Sequence, residues 1–234
     1  MEINRAAIKK NAKLLIANTR PSPILVFLVY LLIGFVLLYL SENISGETKI
    51  FSEMLEQYQA GNFDFVPELP QISVWGYALL IALSVMNLML YVGATIYSLE
   101  ICQFRKAGVG NLFDGFGIFG KALLLAVVMI LFIYLWALLF IVPGIIAAYR
   151  YRLAFYLMID NPELGPLDCL RLSSEMMAGH KWELFVLDLS FLGWFLLCTV
   201  PGVSIWVEPY TSITYTNYYL ALRDMPRSDF DMRI

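Results

Sequence analysis

The sequence predicts an all-α polytopic membrane protein with about six transmembrane helices, and three observations predict it. Hydrophobic residues make up 60% of the 234 residues and charged residues only 15%, with a mean hydropathy of +0.70. A soluble domain sits nearer half apolar and about a quarter charged. Apolar runs recur along the chain, and the longest carries no charge between Lys121 and Arg150. Two of these runs share the motif W-x-L-L-x-x-V-P-G, at Trp136–Gly144 and Trp194–Gly202, which reads as a pair of tandem hairpins. Proline and glycine are the residues least welcome inside a helix, so Pro143, Gly144, Pro201 and Gly202 mark the expected turns. A basic residue, Lys121 or Lys181, opens each repeat.

Length and composition leave room for a single membrane domain over 1–234 and no separate soluble one. Residues 1–22 alternate Arg5, Lys9, Lys10, Lys13 and Arg20 with Ile3, Ala7, Leu14 and Leu15, which suits a basic helix lying on a membrane surface. The segment is long for a signal-peptide n-region, and the apolar run after it is longer than a usual h-region. Residues 23–40 form the first expected span. Residues 41–73 form an acidic outer loop with Glu42, Glu47, Glu53, Glu56, Asp64 and Glu68 against a single Lys49. Ile50, Phe51, Met54, Leu55 and Tyr58 fall at helical spacing inside it and predict a short surface helix. The second span is 74–97, where Gly76, Ser84, Gly93 and Ala94 permit close helix contact.

Residues 107–120 are glycine-rich, and Gly115, Gly117 and Gly120 spell G-x-G-x-x-G. No strand precedes them and a span follows, so the dinucleotide-binding context is missing. A flexible or tightly packed loop is the better reading. The remaining spans are expected at 121–142, 145–159, 183–200 and 203–222. Between the fourth and fifth, 160–182 reads as an amphipathic segment on the inner membrane surface. The fourth span is short for a full crossing, so the Pro-Gly turns either reach the outer surface or stop inside the membrane as re-entrant pairs. Thirteen of the 16 basic residues fall in segments that six spans place on one side, which puts both termini in the cytoplasm.

The segments LWALLFIVPGIIAAYRYRLAFYLMIDNPEL, SSEMMAGHKWELFVLDLSFLGWFLL and EPYTSITYTNYYLAL resemble a bacterial family of integral membrane proteins known as domain of unknown function nine-seven-five, found largely in Firmicutes. The stretches AIKKNAKLL and LFDGFGIFGKAL are similar to it as well, so the likeness runs over nearly the whole chain, least in 41–73. The resemblance implies a multi-pass protein of the bacterial cytoplasmic membrane and brings no activity, substrate or catalytic residue. Arg150 and Arg152 stand where smaller or less charged residues are expected.

Ionisable groups in lipid are costly and are functional candidates by default. Arg150 lies six residues after Gly144 and Glu208 six residues after Gly202, so equivalent repeats put them at matching depth. Arg150, with Arg152, is expected to pair with Glu208 in a polar site lined by Tyr149, Tyr151 and Tyr210. Locking two hairpins together and snorkelling to the interface are the plainer readings. Asp188 is a second candidate, about 10 Å inside the fifth span.

Cys102, Cys169 and Cys198 lack C-x-x-C spacing and His180 is the only histidine, so no disulfide framework, metal centre or cofactor is expected. No G-x-S-x-G or H-E-x-x-H occurs. His180 with Ser173 or Ser174 is the one imaginable nucleophile pair. The expected function is a non-enzymatic accessory or scaffold component of the membrane. Its partners are the bilayer and other membrane proteins or copies of itself, not nucleic acid. The alternative is a transporter of a small solute, ion or lipid using Arg150, Glu208 and Asp188.

Overall fold

The computed structural model describes residues 3–200 and 202–225, and among these the ordered elements are all helices. They are α1 (Arg5–Asn18), α2 (Pro23–Ser45), α3 (Glu47–Gln59), α4 (Val74–Cys102), α5 (Asn111–Asp114), a 3-10 turn (Gly115–Ile118), α6 (Phe119–Leu139), α7 (Ile141–Arg150), α8 (Ala154–Asp160), α9 (Pro166–Met176), α10 (Lys181–Leu189), α11 (Leu192–Leu197) and α12 (Ser204–Arg223). Among the described residues, three stretches are long and apolar enough to cross a membrane: α2, α4 and the run Asn111–Leu139 that ends in α6, of 23, 29 and 29 residues. At about 1.5 Å per residue each exceeds the roughly 30 Å of a hydrocarbon core. Their outward faces are greasy. Val127, Ile130, Leu131, Leu135 and Leu138 of α6 are all exposed, a surface suited to lipid and costly in water.

The chain divides into two compact units, one of residues 31–88 and one of the rest. In the smaller unit, Gly46 turns the chain with φ +70 into α3, the short helix expected from the spacing of Ile50 to Tyr58. Phe51, Met54, Leu55 and Tyr58 of α3 are exposed, and Tyr58 meets Phe63 edge-on.

The larger unit is organised around α12. Val207, Thr211, Ile213, Thr214, Thr216, Tyr218 and Tyr219 are all buried, so this helix is enclosed on several sides at once. Its threonines return their hydroxyls to backbone carbonyls one turn back, as Thr214 does to Tyr210 and Thr216 to Ser212, which lets polar residues sit inside without open donors. A second cluster joins Val26 and Phe27 of α2 to Ala94, Tyr97 and Ile101 of α4 and Leu112 of α5. Here two glycines are required. A Cβ on Gly93 would lie 2.0 Å from the Leu112 carbonyl oxygen, and one on Gly115 would lie 2.2 Å from that of Met89. Close backbone approach therefore explains one glycine of the G-x-G-x-x-G stretch.

Four expectations need correction. The break after the third span comes at Phe140, a single extended residue, and not at Pro-Gly. Pro143 instead sits in the first turn of α7, where its missing N–H costs nothing and its fixed φ suits the helix. Gly144 is helical, and a Cβ there would meet that of Ala137 at 2.7 Å. In a continuous helix, residues seven apart are about 10 Å apart along the axis, so the chain has folded back and Gly144 lets the two helices touch.

The expected fourth span, 145–159, is interrupted at residues 151–153, between α7 and α8. The expected fifth span, 183–200, is interrupted at Ser190–Phe191, between α10 and α11. Each of these four helices has 10 residues or fewer, too short to cross a bilayer alone. The third correction is α1. It is seated partly on protein: Ile8 and Ala12 are buried, Ala12 in a cluster with Cys102 and Ile213, and Lys9 lies over the Phe191 ring, while Ala7 and Leu14 stay exposed. Lastly, the two W-x-L-L-x-x-V-P-G motifs take different local shapes. Gly144 lies within a helix, whereas Gly202 has φ +86 ahead of α12. Pro201 lies outside the described residues.

Candidate functional site

The site begins at the interruption between α7 and α8. Breaking a helix there frees backbone groups that need partners in a dry interior. Ser173 of α9 supplies them: its fully buried hydroxyl donates to the Arg150 carbonyl at 2.8 Å and accepts from the Leu153 N–H at 3.2 Å. That hydroxyl is thereby committed to structure. His180 bonds Glu183 through Nδ1 at 2.8 Å, and its carbonyl accepts from Tyr218. The imagined serine–histidine pair does not form.

The interruption carries Arg152 toward α12. Its guanidinium lies over the Tyr215 ring, 5.0 Å from the centroid. The Tyr215 hydroxyl donates to Asp188 Oδ1 at 2.7 Å, and the Tyr149 hydroxyl donates to Asp188 Oδ2 at 2.8 Å. Asp188 thus joins α7, α10 and α12 with a donor on each carboxylate oxygen.

Beside this knot lies a cavity of about 210 Å³ whose wall includes Arg152, Glu208, Thr211, Ser212 and Tyr215, with aromatic rings from Phe27, Tyr30, Tyr91, Tyr156 and Phe195. Arg152 is exposed although it lines the cavity. Glu208 is half-buried. Among the described residues, no ion pair joins either arginine to Glu208.

The expected partner was Arg150. It sits one residue before the interruption, with its Nε buried and without a hydrogen bond. Tyr151 is buried against Phe132. Tyr210 packs edge-on to Phe191 and Trp194, with the Lys13 ammonium 5.6 Å above its ring. The structure therefore puts Arg152 and Glu208 on one cavity wall, links Asp188 and Tyr149 to it through Tyr215, and leaves Arg150, Tyr151 and Tyr210 off that wall.

Tyr215, Tyr30 and Tyr91 were missed. A signal for the first was present: Glu208, Thr211, Ser212 and Tyr215 fall at i, i+3, i+4 and i+7, a polar stripe down one face of α12.

A second charged cluster was also missed. Asp160, at the end of α8, accepts from Arg223 at 2.7 Å, Tyr219 at 2.9 Å and Gln103 at 3.1 Å. Burial alone would raise its carboxyl, but these hydrogen bonds outweigh burial, and together with the Arg223 charge they hold it below the ordinary carboxylate value. This knot ties the ends of α4, α8 and α12, and Tyr156 stacks on Tyr219 just inside it.

Among the described residues, no group of three His, Cys, Asp or Glu side chains is placed to hold a metal ion. No curated protein and no solved structure matches the chain. The N-terminal stretches that resembled a family lie outside the part of the chain that a family matches. Residues 139–225, which carry the interrupted helices, Asp188, Arg152 and the polar stripe of α12, match the family described as Protein of unknown function (DUF975).

Proposed function

We propose that the protein is a multi-pass component of the cytoplasmic membrane that binds a small polar solute inside its helical domain, as a transporter does. One observation carries this reading: Arg152 and Glu208 line the same cavity, and no ion pair joins them. Charges inside a membrane domain are expensive and are retained where they meet a solute or each other. Interrupted helices flanking such a site are a recurring device of transporters, because the freed backbone is tolerated only where it lines a cavity or is bonded by protein. The distribution of lysine and arginine supports inward-facing termini.

Thiol labelling tests the reading. With Cys102, Cys169 and Cys198 replaced, Glu208→Cys and Arg152→Cys are expected to react with a water-soluble maleimide in folded protein. Asp188→Cys, at a fully bonded position, is expected to react more slowly. Absence of reaction at both 152 and 208 removes the solute site.

The accessory role without transport keeps one supporting observation, the exposed apolar row Phe51, Met54, Leu55 and Tyr58 on α3, which suits a membrane surface or a neighbouring protein. Under that reading the labels fail at the cavity and α3 substitutions alter co-purification.

A further inference from the structure

We infer that the cavity beside α12 takes a small zwitterion, a molecule with one cationic nitrogen and one oxyanion, of the chemistry shared by betaines, amino acids and zwitterionic lipid headgroups. The inference rests on the solute-site reading above and names its ligand.

Charge balance selects the ligand. The cavity presents one guanidinium and one carboxylate. An anion satisfies Arg152 and brings a like charge toward Glu208. A cation does the reverse, and a neutral molecule brings a counter-charge to neither group. A zwitterion gives each a counter-charge and adds none.

The two ends of the ligand are also distinguished. Arg152 is set over the Tyr215 ring, and its remaining donors suit the fork geometry of a carboxylate or phosphate. Glu208 is the counter-charge for the cationic end, and half of the lining residues, Tyr30 and Tyr91 among them, are aromatic. Aromatic faces attract cationic nitrogen, above all when it is alkylated and weakly hydrated. At about 210 Å³ the cavity is smaller than the roughly 300–1,000 Å³ of drug-sized pockets, so the ligand, or the part of it that enters, has few atoms. The hydroxyls of Thr211 and Ser212 sit on the Glu208 face of α12, one turn on.

The experiment uses the full chain purified in detergent, with glycine betaine and L-leucine as zwitterions, choline as the cation and acetate as the anion. Calorimetry and thermal unfolding report binding. At least one zwitterion is expected to bind, with choline and acetate weaker by about tenfold or more. Arg152→Gln is expected to weaken the zwitterion and favour choline, and Glu208→Gln to weaken it and favour acetate. If either variant fails to fold, the selectivity of the native chain decides alone. Equal binding of all three charge types, or of none, overturns the inference.

Labelling at Glu208→Cys separates the two levels. Reaction there without zwitterion binding overturns this inference and leaves a solute site for another ligand. No reaction at 152 or 208 overturns the site itself. Nanodiscs of phosphatidylglycerol, with and without phosphatidylethanolamine, separate the sources. Binding of the free zwitterion suppressed by phosphatidylethanolamine identifies a lipid headgroup, and unchanged binding identifies a dissolved solute.

Discussion

Asp160 and Glu208 are both carboxylates on the apolar C-terminal part of the chain, and they live differently. Asp160 has a donor on each oxygen and three partners from two other segments of the chain. Glu208 faces a cavity shared with Arg152, and no ion pair joins them. The first arrangement repays the cost of removing a charge from water and fixes helix ends. The second leaves part of that cost unpaid, which a protein sustains where a ligand completes the pairing. The contrast teaches that counting charges in an apolar sequence does not locate a site. What matters is which charges the fold has already satisfied.

The contrast breaks most readily at the satisfied end. Asp160→Ala leaves Arg223, Tyr219 and Gln103 without their acceptor and is expected to cost about 2–4 kcal/mol, the lower figure reflecting the part-exposed Arg223. Thermal unfolding in detergent reads it, and a loss below about 0.5 kcal/mol would show the knot to be ornamental.

Gly93→Ala is the next largest. Its new methyl meets the Leu112 carbonyl at 2.0 Å, and overpacking of that kind costs about 1–3 kcal/mol. Ser173→Ala strands a buried carbonyl and a buried N–H at the α7–α8 interruption, for about 1–2 kcal/mol.

Acid sharpens the comparison further. The Asp160 carboxyl is held below its ordinary value when folded, so the unfolded chain binds the proton more readily. The stability it contributes is present at neutral pH and is lost as pH falls through the folded value, below about 3.9. Between pH 7 and 3, native protein should therefore lose more stability than Asp160→Asn, as followed by unfolding at each pH. The smallest effect belongs to the cavity. Arg152→Gln should change stability by less than about 0.5 kcal/mol, because no ion pair is broken. A large loss there would mean that Arg152 belongs to the architecture.

Long apolar runs made α2, α4 and α6 readable from the sequence, because length and hydropathy are local properties. The amphipathic α3 was readable for a similar reason. The interruptions at 151–153 and at 190–191 were not, since YRYRL and LSFLG carry no proline and only one glycine, outside the break itself. The first of them is stabilised from outside by Ser173, 20 residues further along the chain. Placing Arg150 opposite Glu208 assumed two unbroken, equivalent helices, and the interruption is what puts Arg152, and not Arg150, on the cavity wall with Glu208. Pro143 was legible as a disturbance but not as a helix start. The polar stripe of α12 was in plain view and needed only a helical reading.

The seat of α1 on α12 bears on how the protein is made. Ala12 and Ile213 share one buried cluster although about 200 residues lie between them, a separation whose closure costs entropy and comes late in folding. During synthesis α4 can supply Cys102, and its cluster can receive Leu15, but the cover from Ile213 waits until α12 has emerged. The charged helix is thus a clasp completed last, and a chain cut short before α12 leaves Ala12 without part of its native cover.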